Sequence, residues 1–222
     1  MGLFDKIFPK KPAPYSDATL NHLYEMLFCD NLGLYQKPEP PTEPLWQTLL
    51  AEPAAPAALQ AVAADATQEG RARLLAYRRL AALGQPTGPP TLLGVVVEVA
   101  LPGGLDVLAS FADGGARYFN QAGKLLVWEA STTESEQLRE QLFTAACQTV
   151  AHIGPWDKPR LPPPTGNLLR ITFLQSDGLY FGQGPFDVMQ HDALAAHIIA
   201  AATQLMMFLV EQGLAREAGP VT

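Results

Sequence analysis

Residues 193–210 read ALAAHIIAAATQLMMFLV, and no formal charge interrupts them while His197 is neutral. Wound as a helix, the segment is apolar on nearly every side. Its polar positions form a narrow stripe at seven-residue spacing: Gln190, His197, Gln204 and Glu211. A helix this apolar has to be covered almost all round, by a sheet or by a neighbouring subunit. Leu194, Ile198, Ile199, Leu205, Met206, Met207, Phe208, Leu209 and Val210 supply the large side chains. Burying each is worth ~1.5–3 kcal/mol, against ~1–2 kcal/mol per residue for ordering the backbone. The terms are comparable, so the helix needs contacts on several faces. As a membrane span it would rise only about 27 Å, short of a ~30 Å hydrocarbon core. Asp192 and Glu211 bracket the run, and no Lys or Arg stands close enough to orient it. Coverage by protein is therefore the expectation.

Working back from that helix, residues 91–129 change character. LLGVVVEVA (92–100) is β-branched and apolar, Pro102-Gly103-Gly104 turns the chain, and LDVLASF (105–111) alternates. Asp113-Gly114-Gly115 turns it again, and segments 116–119 and 125–129 complete a four-strand meander. A helix is expected over 134–153, with Leu138, Leu142, Phe143, Ala146 and Val150 on one face. Two strands follow, 168–175 and 179–182, joined at Ser176-Asp177-Gly178. Hairpins between helices argue against a parallel sheet. The expected fold is α+β: a helical N-terminal region, then an antiparallel sheet of about six strands with two long helices packed on one face. A weak echo links 113–123 to 177–184, each holding an Asp-Gly turn, Tyr-Phe, and a Gln near a Gly. Either two ordinary hairpins or a duplicated hairpin-plus-helix unit accounts for it.

Twenty prolines punctuate the chain. They mark off a tail over 1–14, a helical region over 15–88 and an α+β sandwich domain over 89–215. The tail's MGLFDKIFPKK is amphipathic and short. It is read as a weak membrane anchor, a docking peptide or a segment that folds back. A helix should start with Ser16 as its N-cap and carry Leu20, Leu23, Tyr24, Leu27 and Phe28 on one face. A second helical block spans 44–83 and stops at Gly84.

The net charge of −7 argues against nucleic-acid binding. Cys29 and Cys147 are far apart, in no metal-type spacing, and each is placed in an amphipathic helix. They point to a reducing, cytoplasmic setting without disulfides. No Ser, Cys or His stands in a nucleophile or zinc motif, and no glycine loop has the order that cradles a phosphate, so no cofactor or metal is expected. Glu98 interrupts the run Val95–Val99 and shares a face with Val96 and Ala100. It either meets solvent or is buried with a partner, and an exposed or half-exposed face is favoured. Arg71 and Arg78 lie on an Arg-rich helix suited to an anionic ligand or an acidic partner. Trp156, in a proline-rich loop, offers contact area.

These features favour a non-enzymatic module that binds a protein partner or forms a homo-oligomer, with a membrane role disfavoured. The rival is a small-molecule site or hydrolase near the hairpin turns, built from Asp177, Tyr180, Asp113 and His197. A third reading, peripheral membrane attachment, rests on the N-terminal segment alone.

Overall fold

The chain is described over residues 13–217 by a computed structural model. The N-terminal segment and the membrane role read into it lie outside that range. Strand β1 (Leu92–Leu101) is central, and its consecutive Val95, Val96 and Val97 are all buried, so both faces of the strand are covered. Around it, β2 (Gly104–Phe111), β3 (Ala116–Phe119) and β4 (Leu125–Trp128) form a meander. Strands β5 (Leu168–Gln175) and β6 (Gly178–Pro185) add a hairpin on the other side. The six-stranded sheet runs β4-β3-β2-β1-β5-β6, antiparallel throughout, as the turn chemistry implies.

One face of the sheet carries α5 (Thr133–Val150) and α7 (Ala195–Glu217). Val95, Val97, Leu108, Leu169, Ile171 and Phe173 pack there against Leu142, Ile198, Leu205 and Phe208. The other face carries α1 (Ala18–Met26), α2 (Pro44–Leu50), α3 (Pro56–Ala64) and α4 (Gly70–Ala82). Val96, Ala100, Val107, Ala109 and Phe111 meet Tyr24, Phe28, Leu74 and Leu75 there. The helical region is thus the second cover of the sheet. A short α6 (Phe186–Met189) links β6 to α7.

Several expectations shift by local chemistry. The cap of α1 is Asp17, whose carboxylate accepts from the Leu20 N–H at 2.9 Å, rather than Ser16. The block over 44–83 divides into three helices: Pro44 and Pro56 open the first turns of α2 and α3, and α4 begins separately at Gly70. Gly84 ends α4 with φ +66°, as expected of a residue past a helix C-terminus. Cys29 lies past the end of α1 and is buried, and Cys147 is exposed on α5. Helix α5 is fixed at its start by Thr132 and Ser135, whose hydroxyls each accept from the other's backbone N–H. In the sequence echo, Tyr118 and Tyr180 point to the same face, but four strands precede α5 and only two precede α7.

Helix α7 departs most from its reading. Ala195, Ile198, Ala201, Ala202, Leu205, Phe208 and Leu209 are buried on one side. Met206 and Val210 are half-buried, while Met207 is 53% exposed and Leu214 59%. Among the described residues the sheet and α5 cover this helix, and the side bearing Met207 and Leu214 faces outward.

Candidate functional site

Glu98 on β1 stands opposite Arg170 on β5, and both side chains face the N-terminal helices. Glu98 is fully buried and Arg170 is 2% exposed. This corrects the expectation that Glu98 meets solvent: alternation assigned its face rightly, but α1 covers that face. The Tyr24 hydroxyl donates to Glu98 Oε1 at 2.6 Å, and Arg170 Nε lies 3.6 Å from Oε2. Arg170 also donates to the Gln183 side chain at 3.0 Å and to the carbonyls of Leu161 and Pro162 in the proline-rich loop. Burial pushes the Glu98 carboxyl above its ordinary range, against the opposing pull of Arg170 and Tyr24. Nearby, Arg160 from the same loop stacks 3.8 Å over the Phe28 ring and pairs with Glu25 and Asp30. Tyr24, Glu98 and Arg170 are enclosed, and with Arg160 they tie the loop and α1 to the sheet.

The residues marked in the sequence fall into three places. Asp177 sits at the β5–β6 turn and accepts from the Tyr180 hydroxyl at 2.9 Å. Trp156 joins this end by donating its backbone N–H to the Leu179 carbonyl at 2.7 Å and by packing its ring edge-on to Phe181. The Arg78 guanidinium approaches the same turn, since a methyl group on Gly178 would stand 4.0 Å from its Nη1. Burial lowers the pKa of Arg78, and its Nε and Nη2 have no hydrogen-bond partner. Asp113 and Arg71 belong to the β2–β3 turn instead, where Arg71 lies over Phe111 and pairs with Glu69. His197 is exposed on α7 and lines a shallow outer groove with Gln137 and Gln141 of α5. The structure therefore joins Asp177 to Tyr180 and leaves His197 outside. Among the described residues no three His, Cys, Asp or Glu side chains are placed to hold a metal ion. Burial pushes the Cys29 thiol up to about 11, which leaves it protonated and inert.

Two features that the sequence did not single out lie around α7. Exposed large apolar side chains lie along this part of the chain: Phe186 and Val188 on α6, Leu194 just before α7, and Met207 and Leu214 on α7. Residues 195–216 are long and apolar enough to cross a membrane, and 33% of that stretch is buried inside the fold. The second feature is a cleft of about 450 Å³ between α7 and the β1–β2 hairpin end of the sheet. Val97, Val99, Leu108, Leu169, Ile199 and Met206 form its walls. Asp106 and Tyr118 lie side by side on its sheet side. It is at the opposite end of the sheet from the turns holding Asp113 and Asp177. The signal for it was the alternation of LDVLASF, which puts Asp106 on the same face as Leu108.

With this geometry in place, comparison identifies no family: no family model, curated protein or solved structure matches the chain.

Proposed function

We propose that this protein is a non-enzymatic association module that pairs with a second copy of itself through the uncovered flank of α7. The observation carrying this reading is the exposure of the large apolar side chains of Met207 and Leu214 on the outward side of α7. A long apolar helix covered on one side leaves a flank that a partner covers at a gain of ~1.5–3 kcal/mol for each large side chain fully buried. Stable interfaces bury roughly 1,200–2,000 Å² in total, so Met207 and Leu214 need the half-buried Val210 and the surface around it as well. The seam of His197, Gln204 and Glu211 borders that flank and supplies a polar rim. Two free cysteines fit a reducing cytoplasm.

Light scattering on the full chain over a range of concentrations tests this. The expected mass exceeds the 23.9 kDa of one chain and falls to that value for Met207→Glu combined with Leu214→Glu, with the circular-dichroism melt unchanged. A chain that stays monomeric at every concentration overturns the reading. A monomer that co-sediments with lipid vesicles through the same two residues overturns it in favour of a membrane surface.

A further inference from the structure

We propose that the cleft between α7 and the hairpin end of the sheet is a binding site for a small amphiphile with an apolar body and a cationic amine head. The site adjoins α6, whose exposed Phe186 lines it, and is separate from the association flank, because neither Met207 nor Leu214 lines it. Helix α7 borders this end of the sheet face through Ile199, Ala202, Thr203 and Met206 and leaves a gap between itself and the side chains of β1, β2 and β5. A volume of about 450 Å³ falls in the ~300–1,000 Å³ range of small-ligand sites. The walls are aliphatic, with polar groups confined to a few positions. That division matches a ligand with one apolar and one polar end.

The sign of the head follows from the lining. Among the described residues Asp106 is its one formally charged side chain, and no Lys, Arg or His lines the cleft. The carboxylate is held in place from both sides: Oδ1 accepts from the Gln121 N–H at 2.6 Å and Oδ2 from the Tyr118 hydroxyl at 3.0 Å. Each oxygen keeps a further lone pair for a ligand donor. Preorganised in this way, the carboxylate pairs with an ammonium without paying to order itself. A carboxylate or phosphate head would meet a fixed negative charge with no cation to offset it. Thr203 on the α7 rim offers a second, neutral polar contact.

The test uses the full chain and three probes of equal length: octylamine, octanol and octanoate. Binding is followed by calorimetry and by the methyl resonances of methionines labelled with carbon-13. Met206 lines the cleft, and Met26, packed against the core on the opposite face of the sheet, serves as the internal control. The expected result is a single saturable site for octylamine that shifts Met206 and leaves Met26 unmoved. Octanol should bind at least about tenfold more weakly, the difference a charged hydrogen bond makes, and octanoate should not bind. Asp106→Asn should reduce octylamine to the level of octanol, and Thr203→Trp, which fills the cleft from an exposed position, should abolish both. Octanoate binding as tightly as octylamine, or an amine preference that survives Asp106→Asn, overturns the charge assignment. A Met206 resonance unmoved by all three probes overturns the site itself. Neither result bears on the chain's mass in solution, which decides the association reading.

Discussion

The hydroxyl of Tyr24, on the first helix, donates to the carboxylate of Glu98, in the central strand, at 2.6 Å across 74 residues of sequence. This bond is the polar contact between the N-terminal helices and the middle of the sheet, set inside an aromatic cluster in which Tyr24 meets Phe28 and Tyr15 edge-on. A buried carboxylate oxygen without a donor is costly, so the bond fixes where α1 sits.

Tyr24→Phe removes that donor and keeps the ring. Glu98 Oε1 is then left unsatisfied in a site that water does not reach, and the expected loss of stability is about 1–3 kcal/mol. Urea unfolding followed by far-ultraviolet circular dichroism measures it. A midpoint unchanged from that of the native chain would show that the hydroxyl contributes nothing.

Stability should also carry a pH signature from Glu98. Burial raises its folded-state pKa above the unfolded value. Below the unfolded value, about 4.3, both states are protonated and the group costs nothing. As pH rises from there toward the folded value, the native state holds more protons than the unfolded state, so stability falls. Above the folded value the loss is complete. Glu98→Gln cannot ionise and lacks this loss. The stability of Glu98→Gln minus that of the native chain is therefore expected to grow as pH rises out of the carboxylate range and then level off. Urea titrations of both proteins at a series of pH values read this difference directly, and a flat or falling difference contradicts it.

Gly104 tests how tightly the β1–β2 hairpin packs. A methyl group there would stand 2.5 Å from the Gln121 carbonyl oxygen and 3.0 Å from its Cα. Backbone atoms cannot step aside as a side chain can, so Gly104→Ala should destabilise by about 1–3 kcal/mol. Gly154, around which nothing lies within 4 Å, is the control, and Gly154→Ala should stay within about 0.5 kcal/mol of the native chain. Thermal melts of the two variants should separate clearly, and equal melting temperatures would refute the close approach.

Much of this architecture is legible in the residues. Val95 to Val99, the Asp-Gly and Gly-Gly turns and the spacing of Leu138, Leu142 and Ala146 place the strands and α5 because periodicity and turn chemistry are local. What covers each face is not local. Glu98 was assigned the right face from alternation and the wrong environment, since nothing between Val95 and Val99 states that α1 lies over it. The unbroken apolar run was the available hint, because a strand with one wet face alternates. Helix α7 shows the same limit in reverse: its composition demands cover on every side, and among the described residues the sheet and α5 leave its outer side open. Asp177 and Tyr180 are three residues apart and meet as hairpin neighbours do. His197 was grouped with them without any such local constraint, and the helix turns it outward. The cleft beside Asp106 was missed because it is a space between elements distant in sequence.

The loop that carries Trp156 has one more effect. By bridging to Leu179 it occupies part of the rim of the last strand, and that strand closes on Pro185, which has no amide hydrogen to offer. The opposite rim, β4, is four residues long. Growth by adding sheet to sheet, the route to fibrils, thus finds a blunted template on one side and a very short one on the other. Strand-mediated polymerisation is thereby given little to build upon.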